Sequence, residues 1–462
     1  MSIPFPCDAM RFIPNNEPAR RAMLAELGLP GIDALFASIP PDVRLERPLR
    51  IPPGMAEDEQ LRQFEQLAAR NEAPGLLSFL GAGSYPHYTP LVIDSLIQRA
   101  EFFTAYTPYQ PEIAQGTLQA IFEFQTFMTH LTGMEVANAS VYDGASATAE
   151  AVLMAQRLVR GRPRVLLAQS LHPHYRRVVE THTRFLDVEL ETLPTDPASG
   201  RLELDELEAA LGAGAHGDVA CVVLQQPNFY GVIEDVAAVA ERVKAAGALL
   251  AVSVTEALSL ALLEPPGAQG ADIVCGEAQS FGVPTAYGGP YLGFMAARDA
   301  HKRQLPGRIA GETLDADGRR GYVLTLATRE QHIRREKATS NLCTNQNLVM
   351  LHALIYLTLL GRAGLEEVAR RNVSLLAYLR GELAGLAGYA PAFGGPAFNE
   401  LALRCSRPAA EVAERCLRRG VLPGVALGRW EPERSHVLLL AVTETKTKAD
   451  VDALVAALRE AA

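Results

Sequence analysis

The sequence predicts an α/β protein with a large, mostly parallel sheet, followed by a smaller α+β domain. Short apolar runs alternate with amphipathic helices through the middle of the chain, which is typical of a parallel sheet covered by helices on both faces. This alternation ends near residue 326, where long helical segments take over. With 462 residues, the chain is long enough for two or three domains.

Residues 1–75 are expected to form an N-terminal helical arm. Apolar residues recur with helical spacing over residues 17–27 and 56–70. The proline-rich stretch between these two segments is expected to be extended.

Residues 76–325 are expected to form the large α/β domain. Strands are predicted at residues 165–168, 219–224, 249–254, 273–275 and 291–297. Helices are predicted at residues 145–159, 204–211 and 236–246.

Residues 326–462 are expected to form the small α+β domain. Its predicted helices cover residues 346–360, 364–387, 409–419 and 448–461. Its predicted strands cover residues 397–403 and 436–441.

Composition excludes several classes of function. A net charge of −10 argues against nucleic acid as the main partner, because phosphate binding needs a basic surface. We find no apolar run long enough to span a bilayer and no apolar signal core at the N-terminus, so we expect a cytoplasmic protein. The six cysteines are scattered and no histidine pair has a third ligand nearby, which favours neither disulfides nor a metal site.

Gln279 stands at a position where a lysine would be expected. It lies between the strand predicted at 273–275 and a glycine-rich stretch that leads into the strand at 291–297. In large aminotransferase-like enzymes this layout carries the lysine that binds pyridoxal phosphate, and a Schiff base requires a primary amine. An amide cannot supply one. None of the five lysines falls at this place: Lys244, Lys302, Lys337, Lys446 and Lys448.

Three polar segments are candidates for a site. Gly144 and Ser146 open a predicted helix, where small residues let an anion approach the backbone N–H groups, although such residues also make a simple helix start. Proline residues stiffen the segment that carries Tyr106, Tyr109 and Gln110, which suits either a ligand pocket or a packed connector. Polar residues cluster before the helix at 346–360, where they could cap that helix or form a site at a subunit boundary: Thr339, Ser340 and Asn341.

Several longer motifs resemble one family. They include Gly-Ala-Gly-Ser-Tyr-Pro-His at 81–87, Ala-Tyr-Thr-Pro-Tyr-Gln-Pro-Glu at 105–112, Tyr-Asp-Gly-Ala at 142–145 and Arg-Arg-Glu-Lys-Ala-Thr-Ser-Asn at 334–341. In this order they resemble the glycine dehydrogenase (decarboxylating) P-protein of the glycine cleavage system, from about residue 9 to the end. The length is similar to that of the N-terminal (α) subunit of the split form.

The resemblance implies the fold of pyridoxal phosphate-dependent transferases of fold type I and an α2β2 assembly whose cofactor is held by the β subunit. Gln279 then stands where the β subunit has its lysine, and a one-residue slip would place Ser280 there. The partner of the cofactor's ring nitrogen would be Glu256 or Ser253. The implied reaction decarboxylates glycine and transfers its aminomethyl group to the lipoyl arm of the H-protein.

The resemblance further implies an active site near the α–β boundary, to which this chain contributes no catalytic residue of its own. We expect Tyr106, Tyr109, Gln110, Thr339, Ser340 and Asn341 to line its α side, and Gly144 and Ser146 to be a vestigial phosphate loop without cofactor. Cys343 is a candidate redox-sensitive thiol. One alternative is a purely structural partner that stabilises β and docks the H-protein. Another is a self-sufficient enzyme with a displaced lysine such as Lys337.

Overall fold

The computed structural model describes residues 15–45, 47–104, 106–212 and 217–462. The chain divides into two compact units, residues 1–72 and residues 73–462. The first unit contains helices α1 (Glu17–Glu26) and α2 (Glu57–Ala68), each within two residues of its predicted bounds. Asn16 caps α1 by accepting a hydrogen bond from the N–H of Ala19, which satisfies one free donor of the first turn. Neither helix buries a residue.

The second unit is built around a seven-stranded sheet. The strand that opens the unit, β1 (Leu77–Ser78), lies outside this sheet. The sheet consists of β2 (Val136–Ala137), β3 (Arg164–Ala168), β4 (Glu189–Leu193), β5 (Val219–Gln225), β6 (Leu249–Val254), β7 (Ile273–Glu277) and β8 (Gly293–Ala297). Their order is β2-β8-β7-β6-β5-β3-β4. Strands β3 to β7 are parallel, whereas β8 and β2 are antiparallel to their neighbours, so the predicted mostly parallel sheet is confirmed.

Helices cover both faces of the sheet. They are α3 (Leu91–Ile97), α4 (Gln115–Thr132), α5 (Gly144–Leu158), α6 (Pro173–Thr183), α7 (Leu204–Leu211) and α8 (Val236–Ala245). Val222 and Val223 are adjacent in β5 and point to opposite faces, because side chains alternate along a strand. Val222 belongs to the core that includes α4 and α8, and Val223 to the core that includes α5 and α6.

Strand β4 was not predicted from the sequence. It lies at the edge of the sheet, and most of its residues, Glu-Leu-Glu-Thr-Leu, are exposed. The strands predicted from apolar runs lie further inside the sheet and match within two residues. An exposed edge strand carries no apolar run, so that signal was absent here.

A hairpin and a long helix follow the large sheet. The hairpin is β9 (Ile309–Leu314) and β10 (Arg320–Thr325), and the short helix α9 (Gln331–Arg334) comes next. Helix α10 (Asn347–Leu383) joins the two predicted helices across a break at Gly361, where φ is 57°. By length and composition α10 could cross a membrane, contrary to the expectation above. However, many of its apolar side chains, such as Met350 and Tyr356, are buried in the core.

The C-terminal part forms a four-stranded antiparallel sheet with two further helices. Its elements are β11 (Tyr389–Pro391), β12 (Glu400–Cys405), α11 (Ala409–Leu417), β13 (Val421–Leu422), β14 (Val425–Ala426), β15 (Val437–Ala441) and α12 (Lys448–Ala461). The sheet order is β11-β12-β15-β14, while β13 pairs with β1. Leu403 and Leu440 pack with Leu454 of α12 and Leu379 of α10 in a separate core.

Candidate functional site

Residues 81–89, here called the strap, connect the large sheet to the C-terminal sheet. The N–H of Ala82 donates to Glu400 Oε1 (2.6 Å), and Tyr85 Oη donates to Glu400 Oε2 (2.9 Å). Thr443 Oγ1 donates to the carbonyl of Pro86 (2.7 Å). The strap is therefore bound along its length by buried polar groups, although its sequence has no regular secondary structure.

Gln279 fixes the middle of the strap. Its Oε1 accepts from the N–H of Tyr85 (3.0 Å), and its Nε2 donates to the carbonyl of the same residue (3.0 Å). Nε2 also donates to the carbonyl of Val283 (2.6 Å). The side chain is 1% exposed. Every hydrogen of the amide nitrogen thus has an acceptor, and the amide joins the end of β7 to the strap.

His87 anchors the end of the strap between two carboxylates. Nε2 lies 3.0 Å from Glu256 Oε2 and Nδ1 lies 2.8 Å from Glu444 Oε2. Burial alone would lower the pKa of His87, but the two carboxylates outweigh it and raise the pKa to about 10. The ring is therefore an imidazolium at neutral pH, with both N–H groups donating.

The N-terminus of α5 is occupied by carboxylates of the chain itself. Asp143 Oδ1 accepts from the N–H of Ser146 (2.7 Å), and Glu277 Oε2 accepts from the N–H of Gly144 (2.9 Å). Glu277 Oε1 accepts from the N–H groups of Leu292 and Gln279. Burial raises the pKa of Glu277 to about 7, although three N–H donors favour its charged form. Two of the free N–H groups at the positive end of the helix dipole, those of Gly144 and Ser146, thus already donate to carboxyl groups.

The two candidates for a ring-nitrogen partner are engaged elsewhere. Ser253 Oγ lies 2.9 Å from Thr148 Oγ1 on α5. Glu256 binds His87, Asn399 Nδ2 (2.8 Å) and the N–H of Leu258.

His172 lies beside the strap as a neutral ring. Its Nδ1 accepts from the N–H of His174, so Nε2 carries the proton and donates to the carbonyl of Ala82 (2.9 Å). Burial lowers the pKa of His172 to about 4, which fits the neutral form. A Cβ at Gly83 would lie 2.9 Å from the ring, so the strap passes close to it.

A second polar cluster brings together the two tyrosines and the segment 339–344. Thr107 Oγ1 lies 3.3 Å from Thr344 Oγ1. Arg308, which is 3% exposed, donates from Nη2 to Tyr109 Oη (2.6 Å) and from Nη1 to the carbonyl of Cys343 (2.7 Å). Two segments about 230 residues apart in the chain therefore share one buried guanidinium.

The second cluster also contacts α5. Ser340 Oγ donates to Glu150 Oε1 (2.8 Å), and the N–H of Cys343 donates to Tyr142 Oη (3.0 Å). Because Tyr142 immediately precedes the Asp143 cap, the start of α5 adjoins this cluster as well as the polar groups around Gln279.

The predicted site residues differ in exposure. Tyr106 is 74% exposed and Tyr109 is 42% exposed. Gln110 and Asn341 are exposed, whereas Thr339 and Ser340 are half-buried. Lys337 lies exposed on a surface turn. Among the described cysteines Cys343 alone is exposed, and Cys7 lies outside the described residues.

Arg308, Glu400 and Glu444 were not singled out from the sequence, because each lies in a segment with no local motif. Glu277 did give a signal, because a carboxylate within an otherwise apolar strand must find partners when buried. Within the described part of the chain, no group of three or more His, Cys, Asp or Glu side chains is arranged to hold a metal ion.

Comparison with known proteins gives a consistent result. A family model described as glycine cleavage system P-protein matches residues 10–458. The chain is 49% identical over 450 residues to the probable glycine dehydrogenase (decarboxylating) subunit 1 of Moorella thermoacetica, covering 97% of this chain and 99% of the relative.

Solved structures agree with this result. The crystal structure of an inhibitor-bound glycine decarboxylase (P-protein) of the glycine cleavage system superposes with a TM-score of 0.87 at 42% identity, covering 98% of this chain and 100% of that chain. The sphingosine-1-phosphate lyase of Burkholderia pseudomallei superposes with a TM-score of 0.65 at 17% identity, covering 90% of this chain and 92% of that chain, a likeness of fold alone.

Proposed function

Because the chain belongs to the family of glycine cleavage system P-proteins, we propose that it is the subunit of a glycine decarboxylase that holds no pyridoxal phosphate of its own. Its fold is that of the fold type I enzymes that depend on this cofactor. In the proposed assembly the cofactor belongs to a partner β subunit, and two copies of each subunit form an α2β2 complex.

The observation that carries this proposal is the role of Gln279. The amide stands just after β7, where the sequence resemblance implies the lysine of the β subunit, and it cannot form a Schiff base. Both of its polar atoms are hydrogen-bonded to backbone groups of Tyr85 and Val283. A cofactor would have no anchor here.

The start of α5 does not suit the phosphate of the cofactor either. A phosphate dianion would have to displace the carboxyl groups of Glu277 and Asp143 from the N–H groups of Gly144 and Ser146. A Cβ at Gly144 would lie 2.3 Å from Tyr175 Oη, so there is no spare volume beside this N–H group. The residues present do not fit the group, and Gly144 and Ser146 are therefore proposed to be a vestigial loop.

With its partner, the chain would take part in decarboxylating glycine and transferring the aminomethyl group to the lipoyl arm of the H-protein. We propose that Tyr106, Tyr109, Gln110, Thr339, Ser340 and Asn341 line the active site, or its entrance, from the α side. Support comes from the contacts of Thr107 and Arg308, which hold both segments together while leaving the tyrosines partly exposed. We further propose that the complex works in the cytoplasm.

The absence of a cofactor is tested with the purified chain and added pyridoxal phosphate. Visible absorbance is recorded before and after borohydride, and peptides are then analysed by mass spectrometry. We expect no internal Schiff-base band and no stoichiometric pyridoxyl adduct. An adduct on one lysine, for example Lys337, would overturn the proposal and make the chain a cofactor-bearing enzyme.

The role of the α side is tested with Tyr106→Phe and Ser340→Ala chains assembled with the partner subunit. We expect a lower rate of glycine decarboxylation or a higher KM for glycine, with assembly unchanged. Tyr378→Phe is a matched control, because the hydroxyl of Tyr378 donates to Asp452 on α12, outside the second polar cluster. Normal kinetics in both variants would instead favour a purely structural partner subunit.

A further inference from the structure

Arg308 determines whether the hydroxyl of Tyr109 donates or accepts in the hydrogen bond between them. A guanidinium has donors but no acceptor. In the 2.6 Å contact the hydroxyl oxygen of Tyr109 must therefore accept, which leaves its own proton free to be donated. Within the described part of the chain, no other hydrogen bond involves this hydroxyl.

The ring of Tyr109 is held in place on several sides. The guanidinium carbon of Arg308 lies 5.2 Å from its centroid. Tyr106 and His332 pack edge-on against it, with centroids at 6.2 Å and 5.4 Å. The side chain nevertheless remains 42% exposed, so a fixed O–H donor borders an accessible surface.

The surroundings favour a negatively charged acceptor. The only described carboxylate near the Arg308 guanidinium is Glu330, whose Oε2 lies 3.7 Å from Nε without forming a hydrogen bond. Arg329, also buried, donates to backbone carbonyls beside this cluster and adds a second positive charge. An anionic oxygen that accepts from Tyr109 would gain a charge-assisted hydrogen bond next to these cations.

We infer that Tyr109 donates to a carboxylate oxygen of the amino-acid substrate at the subunit boundary, with Arg308 as the positioning residue that enforces this direction. The inference rests on the proposed function. It names the group of the substrate that one residue of the proposed boundary site would bind. It also predicts that an amine without a carboxylate is not recognised by this pair.

The test compares glycine with methylamine, which lacks the carboxylate, in the assembled complex. Binding is followed by the absorbance of the partner's cofactor, and decarboxylation by release of CO2. For Tyr109→Phe and Arg308→Met we expect about tenfold weaker binding of glycine and unchanged binding of methylamine. The double variant should bind glycine no more weakly than either single variant, because both changes remove one interaction.

Two further variants keep the result interpretable. Arg308→Lys retains a cationic donor and should recover part of the glycine affinity, while Arg319→Met changes an exposed arginine and should have no effect. Equal weakening of both amines, or weakened subunit assembly with normal glycine binding, would overturn the inference. If Tyr106→Phe and Ser340→Ala alter the rate but Tyr109→Phe leaves the preference for glycine intact, only this inference fails. If Tyr106→Phe, Ser340→Ala, Tyr109→Phe and Arg308→Met are all silent, the proposed boundary site fails as well.

Discussion

The side-chain amide of Gln279 and the backbone of Tyr85 form a reciprocal pair of hydrogen bonds, each 3.0 Å long. An amide can make such a pair because it has both a donor and an acceptor, like the peptide group it faces. A lysine ammonium has no acceptor. The residue at position 279 therefore has a structural task that a lysine would not fulfil.

Changing Gln279 to Lys should destabilise the chain and should not create a cofactor site. The substitution leaves the N–H of Tyr85 without an acceptor and buries an ammonium group, which we expect to cost about 3 kcal/mol or more. Thermal unfolding gives the loss of stability, and borohydride trapping with mass spectrometry gives the cofactor result. Gln60→Lys, on the exposed face of α2, should be nearly neutral. A stable variant with a stoichiometric pyridoxyl adduct at position 279 would contradict this prediction.

Replacing His87 by Gln should cost about 3–5 kcal/mol, because it leaves the buried carboxylates of Glu256 and Glu444 without their shared cation. Urea unfolding of the purified variant measures the change. His182→Gln is the matched control, since His182 is exposed on α6. The imidazolium assignment would be wrong if the two variants were equally stable.

Stability should fall as pH rises from about 6 to 9. Burial raises the pKa of Glu400 to about 8 and that of Glu234 to about 7, and the pKa of His87 is about 10. Each value lies above that of the unfolded chain, so the folded chain binds more protons. The contribution of each glutamate to stability is lost as pH rises from its ordinary pKa to its pKa in the folded chain. The contribution of His87 is lost as pH rises above its ordinary pKa of 6.5.

The melting temperature at constant ionic strength measures this pH dependence. Glu400→Gln should flatten the part of the curve below about pH 8, because it removes one of the titrating carboxyls. A melting temperature that rises from pH 6 to 9 would contradict the assignment.

Gly231→Ala should be far more damaging than Gly161→Ala, although both glycines have φ of +81°. A Cβ at Gly231 would lie 2.3 Å from the carbonyl oxygen of Glu400, whereas a Cβ at Gly161 meets nothing within 4 Å. The left-handed conformation alone costs about 1–2 kcal/mol, so any larger loss at Gly231 measures the clash. Chemical denaturation of both variants gives the difference. Equal losses would mean that the backbone near Glu400 yields easily.

Much of the fold follows from hydrophobic pattern, and the rest depends on contacts far apart in the chain. The apolar runs of β5, β6 and β7 predicted central strands, since a strand buried on both faces can hold few polar residues. The sequence predicted two separate helices on either side of Gly361, and this glycine did not indicate that they join as α10. The tyrosines and the segment 339–341 stood out because they concentrate polar groups. Arg308 did not, because its importance comes from Tyr109 and Cys343, which are distant in sequence.

Strand β4 has a consequence for the behaviour of the protein at high concentration. It ends the sheet, and one side of its backbone is free to pair with a strand from another molecule. Its exposed positions include Glu189 and Glu191, and Glu191 is paired with Arg164. A second copy that added its own β4 in parallel would bring these carboxylates into line with their equivalents. Charge repulsion at this edge thus opposes the pairing of two copies through their β4 strands.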